Sequence, residues 1–163
     1  MREAIGSTWI FQLVIIFILI FASYLALTIN YSKSFRVKNE VLTIIEKHEG
    51  ITDKGYKTIN DYLKANNYQE MGTCPSGWYG VKNLDGNKVK DGSVDMPANI
   101  GQKYYWCFWK RTNYHVYYPQ RSYYKIKMFF KFDLPVLGQI STFDVDGQTY
   151  ELDHTYDKIG DMS

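Results

Sequence analysis

Residues 9–29 read WIFQLVIIFILIFASYLALTI, and residues 30–50 continue as NYSKSFRVKNEVLTIIEKHEG, with no Pro or Gly before Gly50. The first stretch carries no charge. At about 1.5 Å rise per residue, about 20 such residues cross a bilayer core of about 30 Å. Gln12, Ser23, Tyr24 and Thr28 are its polar members, and Trp9 and Tyr24 lie toward its ends, where amphipathic rings favour the interface. The second stretch is amphipathic. Val37, Val41, Ile44 and His48 fall on one helical face with Phe35, Leu42 and Ile45 beside them, while Lys33, Lys38, Glu40 and Lys47 lie opposite. One continuous rod is therefore expected from about Thr8 to Glu49, roughly 60 Å long. Gly50 is its expected C′ stop and His48 a helix-end cation.

Two other readings of residues 9–29 compete with a span. A buried core helix can be this apolar, but the run is long and uniform for one. A cleaved secretory leader is the stronger rival. Against it, the basic n-region is short and no A-x-A-like site follows, since Ala26 has Tyr24 at the minus-three position.

Sidedness reads two ways. Lys33, Arg36 and Lys38 outnumber Arg2 at the other flank, which by the positive-inside rule favours a cytoplasmic domain. The two cysteines, Cys74 and Cys107, both lie beyond the anchor, and an even pair there suits one disulfide in an oxidising compartment. Two free buried thiols are the alternative. The pair and the aromatic, turn-rich composition place the domain outside. A net charge of +2, with no block of like charges, gives no reason to expect nucleic-acid binding.

Beyond Gly50 a short helix is expected, capped by Thr52 or Asp53, with Ile59, Tyr62 and Leu63 as its apolar stripe and Asn66-Asn67 as its end. Strand-and-turn patterning follows. A hairpin is expected around Asp85-Gly86, a loop over 91–103, and strands over Tyr104–Lys110 and Tyr114–Tyr118. Over Tyr123–Asp133, Tyr124, Ile126, Met128, Phe130 and Phe132 alternate with Lys125, Lys127, Lys131 and Asp133, which predicts one buried and one wet face. Asp146-Gly147 reads as a type I′ turn between strands 139–145 and 148–152. The fold class is α+β: a long N-terminal helix, transmembrane then amphipathic, a short second helix and a C-terminal antiparallel sheet. The expected organisation is a flank (1–8), a transmembrane helix (9–29), its amphipathic continuation (30–50), an extracytoplasmic domain (51–152) and a polar tail (153–163).

No catalytic constellation, cofactor motif or metal-ligand spacing stands out, so a non-enzymatic role is expected. His48, His115 and His154 are far apart, and Cys74 and Cys107 do not form C-x-x-C. Asp144-Val145-Asp146-Gly147 with Glu151 is a faint calcium-loop lookalike whose loop length is wrong. The acidic tail (Asp153, Asp157, Asp161) reads as a solvated terminus. The fifteen tyrosines fit sheet packing, or a surface that holds a sugar or peptide by stacking.

The start MREAIGSTWIFQLVIIFILIFA, the segment YSKSFRVKNEVLTIIEKHEG and the ending KFDLPVLGQISTFDVDGQTYEL resemble type IV pilin-like proteins, in particular the bitopic, TadE-like minor-pilin-like proteins of bacteria. The likeness is one of layout and covers most of the chain. It implies a structural subunit of a pilus-like or secretion-like apparatus. Its partners would be the lipid bilayer, other subunits and a second copy of the chain, met weakly through the N-terminal helix. The assembly helix would present Gln12, Phe35, Val37, Val41, Leu42, Ile44 and Ile45. In that family the leader is cut after a Gly and the fifth mature residue is usually Glu. A cut after Gly6 would here put Phe11 at that place with Gln12 beside it, so Met1 or Arg2 is expected to be retained. A tethered adhesin or sensor domain is the alternative function.

Overall fold

The computed structural model describes residues 2–113, 121–134 and 138–153, with side chains for 8–113, 121–131 and 142–152. The expected strand 114–118, His115 and the tail from His154 onward lie outside the described residues.

Helix α1 (Arg2–Lys47) is a single uninterrupted rod. It starts several residues before Thr8, because nothing in REAIGS breaks a helix and Glu3 favours a first turn. Its first half is exposed on every side: the apolar window shows no buried residue and is long and apolar enough to cross a membrane. Its second half is not free. Val37, Val41, Ile44 and Ile45 are buried, with Phe35 and Leu42 packed against the same core. Each fully buried aliphatic side chain contributes about 1.5–3 kcal/mol.

Both helices end in the same 6→1 and 5→2 hydrogen-bond pattern. In α1 the Gly50 N–H reaches the Ile45 carbonyl (2.9 Å) and the Glu49 N–H reaches that of Glu46 (3.1 Å). The left-handed residue is Glu49 (φ 55°), so Gly50 stands one place beyond the expected C′ position. Gly50 is still required there. Its φ is 138°, and a Cβ would lie 2.8 Å from the Tyr124 hydroxyl. Helix α2 (Asp53–Ala65) is capped by Thr52, whose Oγ1 accepts the Gly55 N–H at 3.1 Å. It closes with Asn67 at φ 51° and a Tyr68 N–H to Leu63 carbonyl bond of 2.9 Å. Tyr56, Ile59 and Leu63 are its buried stripe.

The strands are β1 (Gly72–Thr73), β2 (Tyr79–Val81), β3 (Val94–Asp95), β4 (Lys103–Tyr104), β5 (Trp106–Asn113), β6 (Arg121–Leu134), β7 (Gly138–Gln148) and β8 (Leu152–Asp153). The main antiparallel sheet runs β3-β2-β5-β6-β7, with β8 also on β6, and β1 pairs β4 in a small second ladder. Both helices cover one face. There Trp106, Phe108, Tyr124, Ile126, Met128, Phe130 and Val145 meet Val41, Ile45, Tyr56 and Leu63 in one core, which makes a two-layer α+β domain.

Three expectations give way. Asp85-Gly86 is not a hairpin turn. β2 pairs β3, so residues 82–93 form a long connection, held by the Asp91 carboxylate on the N–H groups of Asn87 (2.8 Å), Lys88 and Ser93 (3.0 Å) and by buried Leu84 and Val89. The expected loop over 91–103 accordingly contains β3 and the start of β4.

Asp146-Gly147 is not a turn either. Both sit inside β7, opposite Lys127 and Ile126. Two local forces outweigh the turn propensity of the pair. Asp144 and Asp146 flank Lys127 across the ladder, and Gly147 lets α1 approach so closely that a Cβ would lie 2.9 Å from Leu42 Cδ1. The same pairing removes the calcium-loop reading, because the two carboxylates point at a lysine on an extended strand.

Finally, the outer sheet face is not uniformly wet. Phe129 is buried there with Tyr104, Cys107 and Ala98, beneath the segment that carries β1 and β4.

Candidate functional site

The expected assembly residues divide. Gln12 lies exposed on the free half of α1. Phe35, Val37, Val41, Leu42, Ile44 and Ile45 are taken up by the chain's own core, where they hold the rod against β6 and β7. Among the described residues, the large apolar side chains that α1 leaves exposed are concentrated on its first half. There Trp9, Phe11, Ile16, Phe17 and Ile20 are more than half exposed, and Phe17 and Phe21 stack at 6.4 Å.

Cys74 and Cys107 form a disulfide with a Cα–Cα separation of 5.7 Å. It staples the segment after β1 onto the centre of the sheet and is packed by Phe129 and Tyr104.

A second surface is built on the outer face of the sheet. Register places Trp109 opposite Lys125 and Tyr79 opposite Phe108. Tyr79 stacks on Phe108 at 4.7 Å, so neighbouring Trp78 falls with the outward-facing Trp109. Trp78 and Trp109 are near-parallel with centroids 6.5 Å apart. Tyr123 meets Trp109 edge-on at 6.2 Å, and the Lys125 ammonium lies 5.7 Å from the Trp109 centroid. All four side chains are half-buried. Such a strip offers ring faces and one cation, the set that stacks on sugars or planar groups.

Beside this strip, an open groove of about 400 Å³ is bordered by Thr73, Lys103, Lys127, Phe129 and Asp144. Lys127 pairs with Asp144 and, at 3.3 Å, with Asp146. Burial works against its ammonium, but the Asp144 hydrogen bond and the two carboxylate charges outweigh burial and raise its pKa. The same hydrogen bond lowers that of Asp144. A lysine held this firmly in its charged form is neither a nucleophile nor a base.

His48 departs from its expected role. Burial, then the charges of Lys54 and Lys47, lower its pKa, so at neutral pH it is an uncharged ring resting on Gly55 at the start of α2. Among the described residues, no group of three or more His, Cys, Asp or Glu side chains is placed to hold a metal ion.

The rod, the disulfide pair and most of the aromatic strand expected over 104–110 were legible in the sequence, but that run breaks at Tyr105, leaving Tyr104 in β4 and starting β5 at Trp106. Trp78 and Phe129 were missed. For Trp78 the missing signal was the register of β2 on β5. For Phe129 the strand parity assigned it to the wet face, and only the crossing β1–β4 segment buries it. Comparison of the chain with protein-family models, with curated proteins and with solved structures finds no match.

Proposed function

We propose that this chain is a single-pass, membrane-anchored structural subunit of a bacterial envelope assembly, pilin-like in plan, with no enzymatic activity of its own. One observation carries the reading. A single helix is bare and apolar over its first half and packed along one face against the sheet domain over its second. A soluble monomer leaves no such surface exposed. The bilayer and the same half of neighbouring copies are what cover it, through side-to-side packing that includes Gln12. The disulfide supports an extracytoplasmic domain, since such bridges persist in oxidising compartments.

Oxidative crosslinking tests the assembly. Single cysteines at Val14, Ile15, Ile16 and Phe17 sample one helical turn. Covalent dimers or ladders from one face, in native membranes, are expected. Monomers from all four positions would remove the assembly reading. Membrane-impermeant thiol reagents on intact cells test sidedness. Labelling of Cys74 and Cys107 only after reduction is expected, and labelling only after lysis would reverse the topology.

The aromatic strip favours a second reading, a tethered module that binds a glycan or peptide. Binding by the full chain that is lost in Trp109→Ala, with no crosslinks through α1, would put this reading first.

A further inference from the structure

A polar cavity of about 170 Å³ lies where α1, the turn after α2 and β6 converge. We propose that it seats the phosphodiester of an anionic bilayer lipid, of the phosphatidylglycerol kind. This rests on the reading of α1 as a membrane span.

The cavity's height comes first. It begins at Asn30, the residue after the apolar run, and continues past Lys33 and Ser34. Strand β6 runs antiparallel to α1. Tyr124 meets Gly50, Gly147 beside Ile126 meets Leu42, and Phe130 shares the cavity with Ser34. From Phe130 four more residues carry β6 to Leu134, about 13 Å at strand rise. From Ser34 back to Ile29 is about 8 Å at helical rise. The strand end therefore comes level with the last turn of the apolar run. The exposure of the rod agrees. Leu27 is half-buried, whereas Leu25 and Ile29 are 46 % and 67 % exposed. The cavity thus opens in the headgroup layer.

Its charge comes second. Lys131 pairs with Glu70 at 2.7 Å and answers a carboxylate oxygen that is otherwise buried. That pair is neutral. Lys33, exposed at the mouth, leaves the cavity one positive charge in excess. One phosphodiester carries one negative charge. The volume fits as well: it equals about five or six waters of liquid, too small for a drug-sized ligand and suited to one phosphate with its first substituent. A glycerol substituent can hydrogen-bond the amide of Asn67, which lines the wall. A choline substituent brings a bulky cation without donors toward Lys33. Both walls are rigid, because Ser34 is buried with its hydroxyl on the Asn30 carbonyl (2.8 Å) and Asn67 is locked in the helix-ending turn.

The test is native mass spectrometry of the full chain, released from micelles supplied with phosphatidylglycerol or phosphatidylcholine. One retained phosphatidylglycerol per chain is expected. Lys33→Gln should lower the retained fraction about tenfold, the scale of one charge-assisted hydrogen bond. Lys33→Arg should restore it, and Lys57→Gln, on the exposed face of α2, should leave it unchanged. Equal retention by Lys33→Gln, equal retention of phosphatidylcholine, or displacement of the lipid by excess inorganic phosphate would each overturn the proposal, the last by making this a soluble-phosphate site. Alkaline carbonate extraction of native membranes separates the two inferences. Release of the chain removes the span itself, while a chain that resists extraction and keeps its lipid in Lys33→Gln removes only the headgroup seat.

Discussion

The Tyr68 hydroxyl stands in for a missing rung of the sheet at Phe129. It accepts the Phe129 N–H at 2.8 Å and lies 2.7 Å from the Phe129 carbonyl and 3.0 Å from that of Tyr105. The β5–β6 ladder runs as far as Trp106 opposite Met128. The next partner, Tyr105, turns away and gives its N–H to Val81 at 2.8 Å. A phenol from the end of α2 fills the gap. Burial raises its pKa far above the ordinary tyrosine value, so it stays a neutral donor at any working pH.

Tyr68→Phe should therefore cost about 1–3 kcal/mol, the cost of leaving a buried N–H without a partner. Urea unfolding of residues 30–163, followed by tryptophan fluorescence, measures it. A midpoint unchanged from wild type would mean that water or Tyr105 replaces the hydroxyl.

Gly80→Ala should destabilise by about 1–3 kcal/mol, the range for forcing extra volume into a packed site. A Cβ at Gly80 would lie 2.5 Å from the ring of Tyr104, which is fully buried and held by Asn99 and Asp95. Gly147→Ala meets side-chain ends, Leu42 Cδ1 at 2.9 Å, Lys38 Cδ at 3.2 Å and Ile126 Cγ1 at 3.3 Å, and should cost less. The order of the two thermal midpoints is the check, and a reversed order would refute it.

Removing the bridge with Cys74→Ser and Cys107→Ser together should lower stability by about 4 kcal/mol, from the loop-closure entropy of a 33-residue separation. Urea midpoints with and without reductant should differ for the wild-type chain and coincide for the double variant. Coincident midpoints in both would mean that the outer-face packing alone holds β1 in place.

Stability should fall as pH drops from 7 toward 5. The His48 pKa is lowered on folding, so the unfolded chain takes up the proton first as pH passes the ordinary histidine value of about 6.5. His48→Gln should flatten this window. Below about pH 4 a further loss should set in, because Asp144 has its pKa lowered in the fold and its stabilisation disappears as pH falls through that lowered value. Urea midpoints across the range decide both, and a His48→Gln profile identical to wild type would rule out the first.

Long-period features were readable in the sequence, and short-range ones were overruled. The rod follows from uncharged length and from the spacing of Val37, Val41 and Ile44, and the inner face of β6 from alternation over Tyr124–Phe130. Asp146-Gly147 failed because a two-residue propensity competes with a long ladder, and Lys127 decides the register. Phe129, Trp78 and the cavity beside Asn30 and Ser34 depend on segments distant in the chain that cross one another, and no local pattern encodes such a crossing.

Helix α1 has one more consequence. From the middle of the apolar run to the core of the sheet it contains no joint: no Pro and no Gly lies between Gly6 and Gly50, and the helix is unbroken from Arg2 to Lys47. The domain is therefore not a float on a string. The direction of the apolar half and the direction of the sheet are one quantity. On the proposed reading of α1 as a span, a thinner bilayer, which makes a long apolar helix lie over, would swing the Trp78–Trp109 strip through the same angle at the far end of a helix about 70 Å long.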